Sequence, residues 1–207
     1  MYPPHSLALK TAPAAEPLTL AQCYLQERLT PTGSPLTHPE DVLINLYISS
    51  IREWFETKTK RALITQTWTM TMDGFPSTGF IEIPKRKLQS VESIKYIDED
   101  GNQQTWDDSL YEVDIISDPG RVQPIEDETY PSTKATLGAV EIEFIAGYGD
   151  AGSDINQTLI LAMLLTFGHI YQNRESVVIG TIAQEVPQTA KDMIEPFIDK
   201  TYTREDL

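Results

Sequence analysis

Between residues 65 and 72 the repeat of apolar residues changes from three-and-four to two, and no other feature constrains the fold as much. Upstream, Ile44, Tyr47, Ile48, Ile51, Trp54 and Phe55 recur at the steps that line one face of an amphipathic helix. In Thr65-Gln66-Thr67-Trp68-Thr69-Met70-Thr71-Met72, large apolar groups then alternate with threonines, which predicts a half-buried strand. Short strands follow at 81–84, 91–97, 111–115 and 140–144, separated by turns such as Asp73-Gly74-Phe75-Pro76 and Asp98-Glu99-Asp100-Gly101-Asn102. No helical stretch lies between them. Parallel pairing needs a crossover of a dozen or more residues, so these strands are expected to pair antiparallel, as one β unit set among helices. Within 91–97 the apolar phase slips between Val91 and Ile94, which predicts a bulge.

The helices carry their own signals. Thr19 with Gln22 three residues on reads as a capping box for a short helix. Thr37 with Glu40 reads as a second box for a helix over 38–60, with Lys58, Lys60 and Arg61 at its far end. A third helix, 155–171, is apolar around most of its circumference: Leu159, Ile160, Ala162, Met163, Leu164, Leu165, Phe167, Ile170 and Tyr171. Such a helix must be buried on most sides, by its own domain or by a neighbouring subunit. Residues 175–187 form a β-branched connection, and a last helix over 189–198 is kinked by Pro196.

The predicted fold is therefore α+β. Residues 18–62 and 150–200 make a helical core of two N-terminal and two C-terminal helices, and residues 63–149 an inserted antiparallel β-domain. Residues 1–17 are expected as a flexible arm rich in proline and alanine, 124–136 as a mobile acidic loop, and 201–207 as a polar tail. With 40% hydrophobic and 23% charged residues over 207 positions, the composition is that of a globular chain, and no apolar run approaches membrane-spanning length. A single cysteine, Cys23, excludes an intrachain disulfide, and its helical phase places it in the core. The net charge of −15 opposes general affinity for nucleic acid, although it does not oppose letting DNA pass.

Gly147-Tyr148-Gly149-Asp150-Ala151-Gly152 spells G-x-G-x-x-G after a strand and before a helix. A dinucleotide fingerprint needs a parallel βαβ unit. Here the preceding strand belongs to an antiparallel set, no second strand with an acid follows, and Asp150 and Asp154 stand where a pyrophosphate would lie. The glycines are expected to let the chain leave the sheet. His5, His38 and His169 are too scattered to ligate a metal, Glu141 and Glu143 read as one solvated strand face, and no cofactor is implied.

Several stretches in chain order resemble the head–tail connector (adaptor, or head-completion) proteins of tailed bacteriophages and gene-transfer agents. They are Asp41-Val42-Leu43-Ile44, Ile51-Arg52-Glu53-Trp54-Phe55-Glu56, Arg61-Ala62-Leu63-Ile64-Thr65-Gln66-Thr67-Trp68, Leu88-Gln89-Ser90-Val91-Glu92-Ser93-Ile94, Phe144-Ile145-Ala146-Gly147-Tyr148-Gly149 and His169-Ile170-Tyr171-Gln172-Asn173-Arg174-Glu175. The resemblance covers about residues 18–198. It implies a structural, non-enzymatic subunit in the virion neck, assembled in the host cytoplasm. Such a subunit forms a homo-oligomeric ring, usually of twelve copies, beneath the portal protein. The ring extends the DNA channel, lets DNA pass without specific binding, and docks the next neck or tail protein, with no membrane involved.

A ring needs two different flanks that pair head-to-tail. The helical faces nominate Ile51, Trp54, Phe55, Met163, Phe167 and Tyr171 for those walls, and Phe197 and Tyr202 as anchors on the portal. Other readings are a sugar- or peptide-binding β module, for which Trp68 and Trp106 would line a concave face, another neck or tail completion protein, or an enzyme holding a nucleotide or metal.

Overall fold

The computed structural model describes residues 5–173 and 187–198. The chain divides into two compact units, one of residues 1–14 and 65–148 and the other of residues 15–64 and 149–207.

Among the described residues the first unit holds eight strands: β1 (His5–Thr11), β2 (Gln66–Met72), β3 (Ile81–Glu82), β4 (Leu88–Ile97), β5 (Gln103–Thr105), β6 (Tyr111–Asp114), β7 (Arg121–Pro124) and β8 (Val140–Ala146). They form a five-stranded sheet in the order β1-β2-β8-β4-β5 and a three-stranded sheet in the order β3-β7-β6. Every pairing is antiparallel, as the missing crossovers require. The order is not that of a simple meander: β8, last in sequence, lies between β2 and β4. Trp68 faces Phe144, Met70 faces Ile142 and Met72 faces Val140, so the apolar phase of β2 is matched residue for residue by β8. Met70, Val140, Ile142 and Phe144 are fully buried. The predicted bulge falls where the register of β4 against β8 shifts, between Val91 and Ser93, and a second shift lies between Leu88 and Ser90.

Two expectations for this unit are corrected. The N-terminal segment, expected as a free arm, supplies β1, which pairs with β2 from His5↔Met72 to Thr11↔Thr67. Its run His-Ser-Leu-Ala-Leu-Lys-Thr alternates, and pairing satisfies backbone groups that would otherwise stay in water. The acidic 124–136 stretch is tied down as well. Tyr130 stacks on Phe75 at 5.2 Å, and its hydroxyl donates to the Gly79 carbonyl. Lys134 N donates to Ile97 O. One aromatic anchor outweighs a composition that reads as loop.

The second unit holds α1 (Leu20–Glu27), α2 (Asp41–Thr59), α3 (Gln157–Gln172) and α4 (Gln188–Ile194). The Thr19–Gln22 capping box of α1 is formed in both directions. The second predicted box is not formed. Thr37 instead bridges to Thr32, α2 begins at Asp41, and the Asp41 carboxylate accepts from His38 N and the Tyr24 hydroxyl. At α3 the cap is Asn156, whose side chain accepts Thr158 N. Pro196, expected to kink a helix running to 198, instead follows its end: α4 stops at Ile194 and the chain tightens into a 3-10 turn over Glu195–Phe197. The connection 175–187 lies outside the described residues except for Pro187.

α3 packs on α1, α2 and α4, and Leu159, Ala162, Met163 and Phe167 meet Ile44, Ile48, Ile51 and Phe55 in one buried core. One side of the helix apolar all round is therefore buried by its own chain, while Leu164, Leu165, Ile170 and Tyr171 stay half-buried and Leu161 is exposed. A polar network lies within this unit. Arg52, 9% exposed, donates to Glu16 at 2.8 Å and to Glu56 at 3.3 Å, while the other Glu56 oxygen accepts Leu63 N at 2.8 Å. A charge so nearly excluded from water is tolerated only when paired in this way.

Candidate interaction surfaces

The glycine motif is a self-contained corner. The strand before it, β8, is antiparallel to both of its neighbours, so no βαβ unit surrounds it. A side chain at Gly149 would bring a Cβ within 2.3 Å of the Asp154 carboxylate, and one at Gly152 within 2.2 Å of the Pro17 carbonyl oxygen. Close approach, not phosphate binding, is what those two glycines permit. The Asp154 carboxylate accepts Ala151 N at 3.0 Å, and so takes a donor an anion would need.

Other chemical candidates also resolve into structure. Cys23 is fully buried, and burial, with Glu27 nearby, pushes its thiol up to about 12. The thiolate is the reactive form, so Cys23 should resist alkylation by iodoacetamide in the native chain and label only with denaturant. Rapid native labelling, read by mass spectrometry, would contradict this placement. Glu143 pairs with Lys10 at 2.7 Å, and Glu141 stands opposite Lys95. The two carboxylates are sheet-face partners of cations rather than acids across a cleft. A groove of about 270 Å³ is lined by Glu112, Val113, Asp114, Arg121 and Gln123. Its polar groups already bond one another, Arg121 to Asp114 at 2.6 Å and Gln123 to Glu112. Among the described residues no group of three or more His, Cys, Asp or Glu could hold a metal, and no helix is long and apolar enough to cross a membrane. His169 is half-buried on α3, and His38 donates its backbone N–H to Asp41.

Aromatic residues of the first unit form a core cluster instead of a binding face. Trp106 is 4% exposed, 4.9 Å from Tyr111 and 5.4 Å from Phe75. Trp68 is half-buried, with the Lys85 ammonium 4.7 Å above its ring. The turns around the cluster are held by carboxylates acting as acceptors. Asp114 accepts from Ser117 and Arg121, Asp98 from Gln104 and Asn102, and Asp107 from Ser109. Each of these carboxyls is held below its ordinary value. Their stabilisation is complete above the unfolded value near ~4 and is lost as pH falls through the depressed native values. Thermal stability should therefore decline below about pH 4, and Asp114→Asn should make that decline shallower. An unchanged acid profile in the variant would remove Asp114 from the account.

The residues nominated for contact separate into two groups. Ile51, Phe55, Met163 and Phe167 are at most 2% exposed and lie in the core of the second unit. They offer no side-chain area to a partner. Trp54, Tyr171 and Phe197 keep part of their surface. Trp54 packs edge-on to Phe55 at 5.1 Å, Tyr171 bonds the Glu40 carboxylate through its hydroxyl, and Phe197 lies under the Arg61 guanidinium at 5.9 Å. Tyr202 lies outside the described residues.

Exposed apolar groups elsewhere include Leu25 on α1, Val42 and Leu46 on α2, Leu161 on α3, Ile116 after β6, Leu36 and Leu137 in turns, and Leu7 and Leu9 on β1. Two of these were legible in advance. Val42 and Leu46 fall one helical turn apart on the side opposite the Ile44-Ile48-Ile51-Phe55 stripe, so they could not share its burial.

The chain superposes on a chain of the virion of a native gene transfer agent (GTA) particle with a TM-score of 0.75, at 20% identity over 93% of this chain and 94% of that one. It superposes on a chain from the neck of an empty GTA particle computed with C6 symmetry with a TM-score of 0.72, at 20% identity over 93% and 95%. For a chain from the neck of a native GTA particle computed with C12 symmetry the TM-score is 0.67, at 18% identity over 92% and 94%. No protein-family model and no curated protein matches the sequence at a significant level. The two units together thus have the α+β fold of these GTA chains.

Proposed function

We propose, from a fold shared along nearly the whole chain with GTA neck and virion components, that this protein is a structural subunit of the neck of a phage-like particle. In this reading it is a head–tail adaptor. Copies form a ring, of twelve subunits in the assembled virion, beneath the portal protein, extend the DNA channel and dock the next neck or tail protein. Its work is contact rather than catalysis. The observation that carries the reading is the match over 93% of the chain, which includes the β unit and the helices in one chain order. A domain borrowed for another purpose would match one unit and not both.

Charge supports the channel role. A chain with 31 acidic and 16 basic residues repels a passing phosphate backbone and limits adhesion to it. The half-exposed Phe197 at the end of α4, with Tyr202 beyond it, is assigned to the portal side.

The test is assembly. The purified chain is mixed with its cognate portal protein and followed by light scattering and negative-stain electron microscopy. A stoichiometric ring on one end of the portal is the expected result. A chain that remains free at micromolar concentrations of both proteins would sink the proposal. Deleting residues 196–207 should weaken the portal complex without dissolving the fold, and a complex of unchanged affinity would remove the C-terminal segment from that contact.

A further inference from the structure

The five-stranded sheet has two open ends, and both are unusual for a chain this acidic. At one end β1 pairs with β2 alone, and no other strand among the described residues pairs with it. Isolated edge strands are normally blunted by proline, by inward-pointing charge, by shortness or by a bulge. β1 has seven residues and no proline, and its register shift and its one lysine, Lys10, both lie at its far end, which leaves the backbone donors and acceptors of Ser6 to Leu9 along the sheet edge. Leu7 stands opposite Met70 and Leu9 opposite Trp68, on the sheet's apolar face, yet they are 37% and 47% exposed. The face continues past what its own unit covers. At the other end β5, Gln103-Gln104-Thr105, is exposed at all three positions.

Neither edge carries net charge. Gln103, Gln104 and Thr105 are neutral, as are Ser6 to Leu9, and Lys10 is neutralised by Glu143. A partner with a basic surface would be drawn to the acidic parts of the chain. A second copy, itself at −15, meets least repulsion where both edges are neutral. Direction agrees. Four antiparallel pairings separate β1 from β5, so the two edge strands point the same way. Rotation about an axis along the strands brings β5 of one copy beside β1 of the next in parallel. A two-fold flip does not. This is the head-to-tail relation that closes a ring.

We infer that the outer edge of β1 is a subunit seam, to which β5 of a second copy adds by parallel strand pairing, with Leu7 and Leu9 covered in the process. The inference rests on the ring assembly proposed above. Sheet extension supplies main-chain hydrogen bonds at the seam, and the two leucines supply buried area.

Hydrogen exchange on the full chain, free and in the ring assembled on portal, tests it. The outward amides of β1 and those of β5 should both slow by about tenfold or more in the ring. The double variant Leu7→Lys with Leu9→Lys changes exposed positions, so it should keep the circular dichroism and melting temperature of the free chain while its ring dissociates at least about tenfold more readily, since charge on an edge opposes strand addition. Three results overturn the seam alone: a ring in which β1 exchanges as in the free chain, protection of β1 without β5, or a double variant that assembles like the parent. Failure of the parent to form any ring overturns both this inference and the neck reading.

Discussion

Replacing Arg52 by alanine should lower the stability of the helical unit by about 3–5 kcal/mol, the range for removing one member of a buried ion pair. Arg52 and Glu56 are 9% and 5% exposed, and the guanidinium is shared among Glu16, Glu56 and, at 3.7 Å, Glu53. Without it, Glu56 keeps its bond from Leu63 N but loses the guanidinium in a site with little water. Glu16, which ties the segment before α1 to α2, loses its partner altogether among the contacts described for it. The diagnostic comparison is the double variant Arg52→Met with Glu56→Gln, which removes both charges and keeps the volume. It should recover most of the loss, because the cost of the single change is unbalanced negative charge in a site shielded from water and not the absent attraction. Urea denaturation followed at 222 nm provides the measurement. A single variant within about 1 kcal/mol of the parent would show that the network is solvated and unimportant.

Phe167→Ala should cost about 3–5 kcal/mol by the same measurement, as expected for truncating a fully buried aromatic side chain. Phe167 is 0% exposed, with Tyr47 at 6.5 Å and Tyr171 at 5.5 Å. The contrast is Leu161→Ser on the same helix. Leu161 is 45% exposed, and its replacement should change stability by no more than about 0.5 kcal/mol. If Phe167 were a contact between subunits, as the all-round apolar pattern of its helix suggested, the order would reverse: truncation would spare the free chain and weaken assembly. Equal stability for Phe167→Ala and the parent would therefore restore the intersubunit reading.

These two variants mark how far periodicity alone could be read. The change of repeat at residue 65, the Thr19–Gln22 capping box, the slip in phase near Val91 and the break at Pro196 were all legible, and each has its counterpart in the structure. They depend on neighbours one to four residues away, and such neighbours are present in any local window. The site was less legible. Trp54 and Phe55 are adjacent and both aromatic, yet one keeps exposed surface and the other has none. Thr37–Glu40 had the letters of a capping box, but a bridge to Thr32 and the carboxylate of Asp41 took those roles.

What the sequence by itself determined was the kind of each main element and the antiparallel character of the sheet, because side-chain period and the lack of crossovers leave little choice. Only the tertiary structure decided that β8 lies at the centre of its sheet, that residues 5–11 form one edge of it, and that one side of the apolar helix is buried by its own chain. The reason is physical. The partners of β1 and β8 and the cover that α1 and α2 give α3 lie far along the chain, outside any local window, and the alternation in His5–Thr11 has no meaning until β2 presents a matching edge.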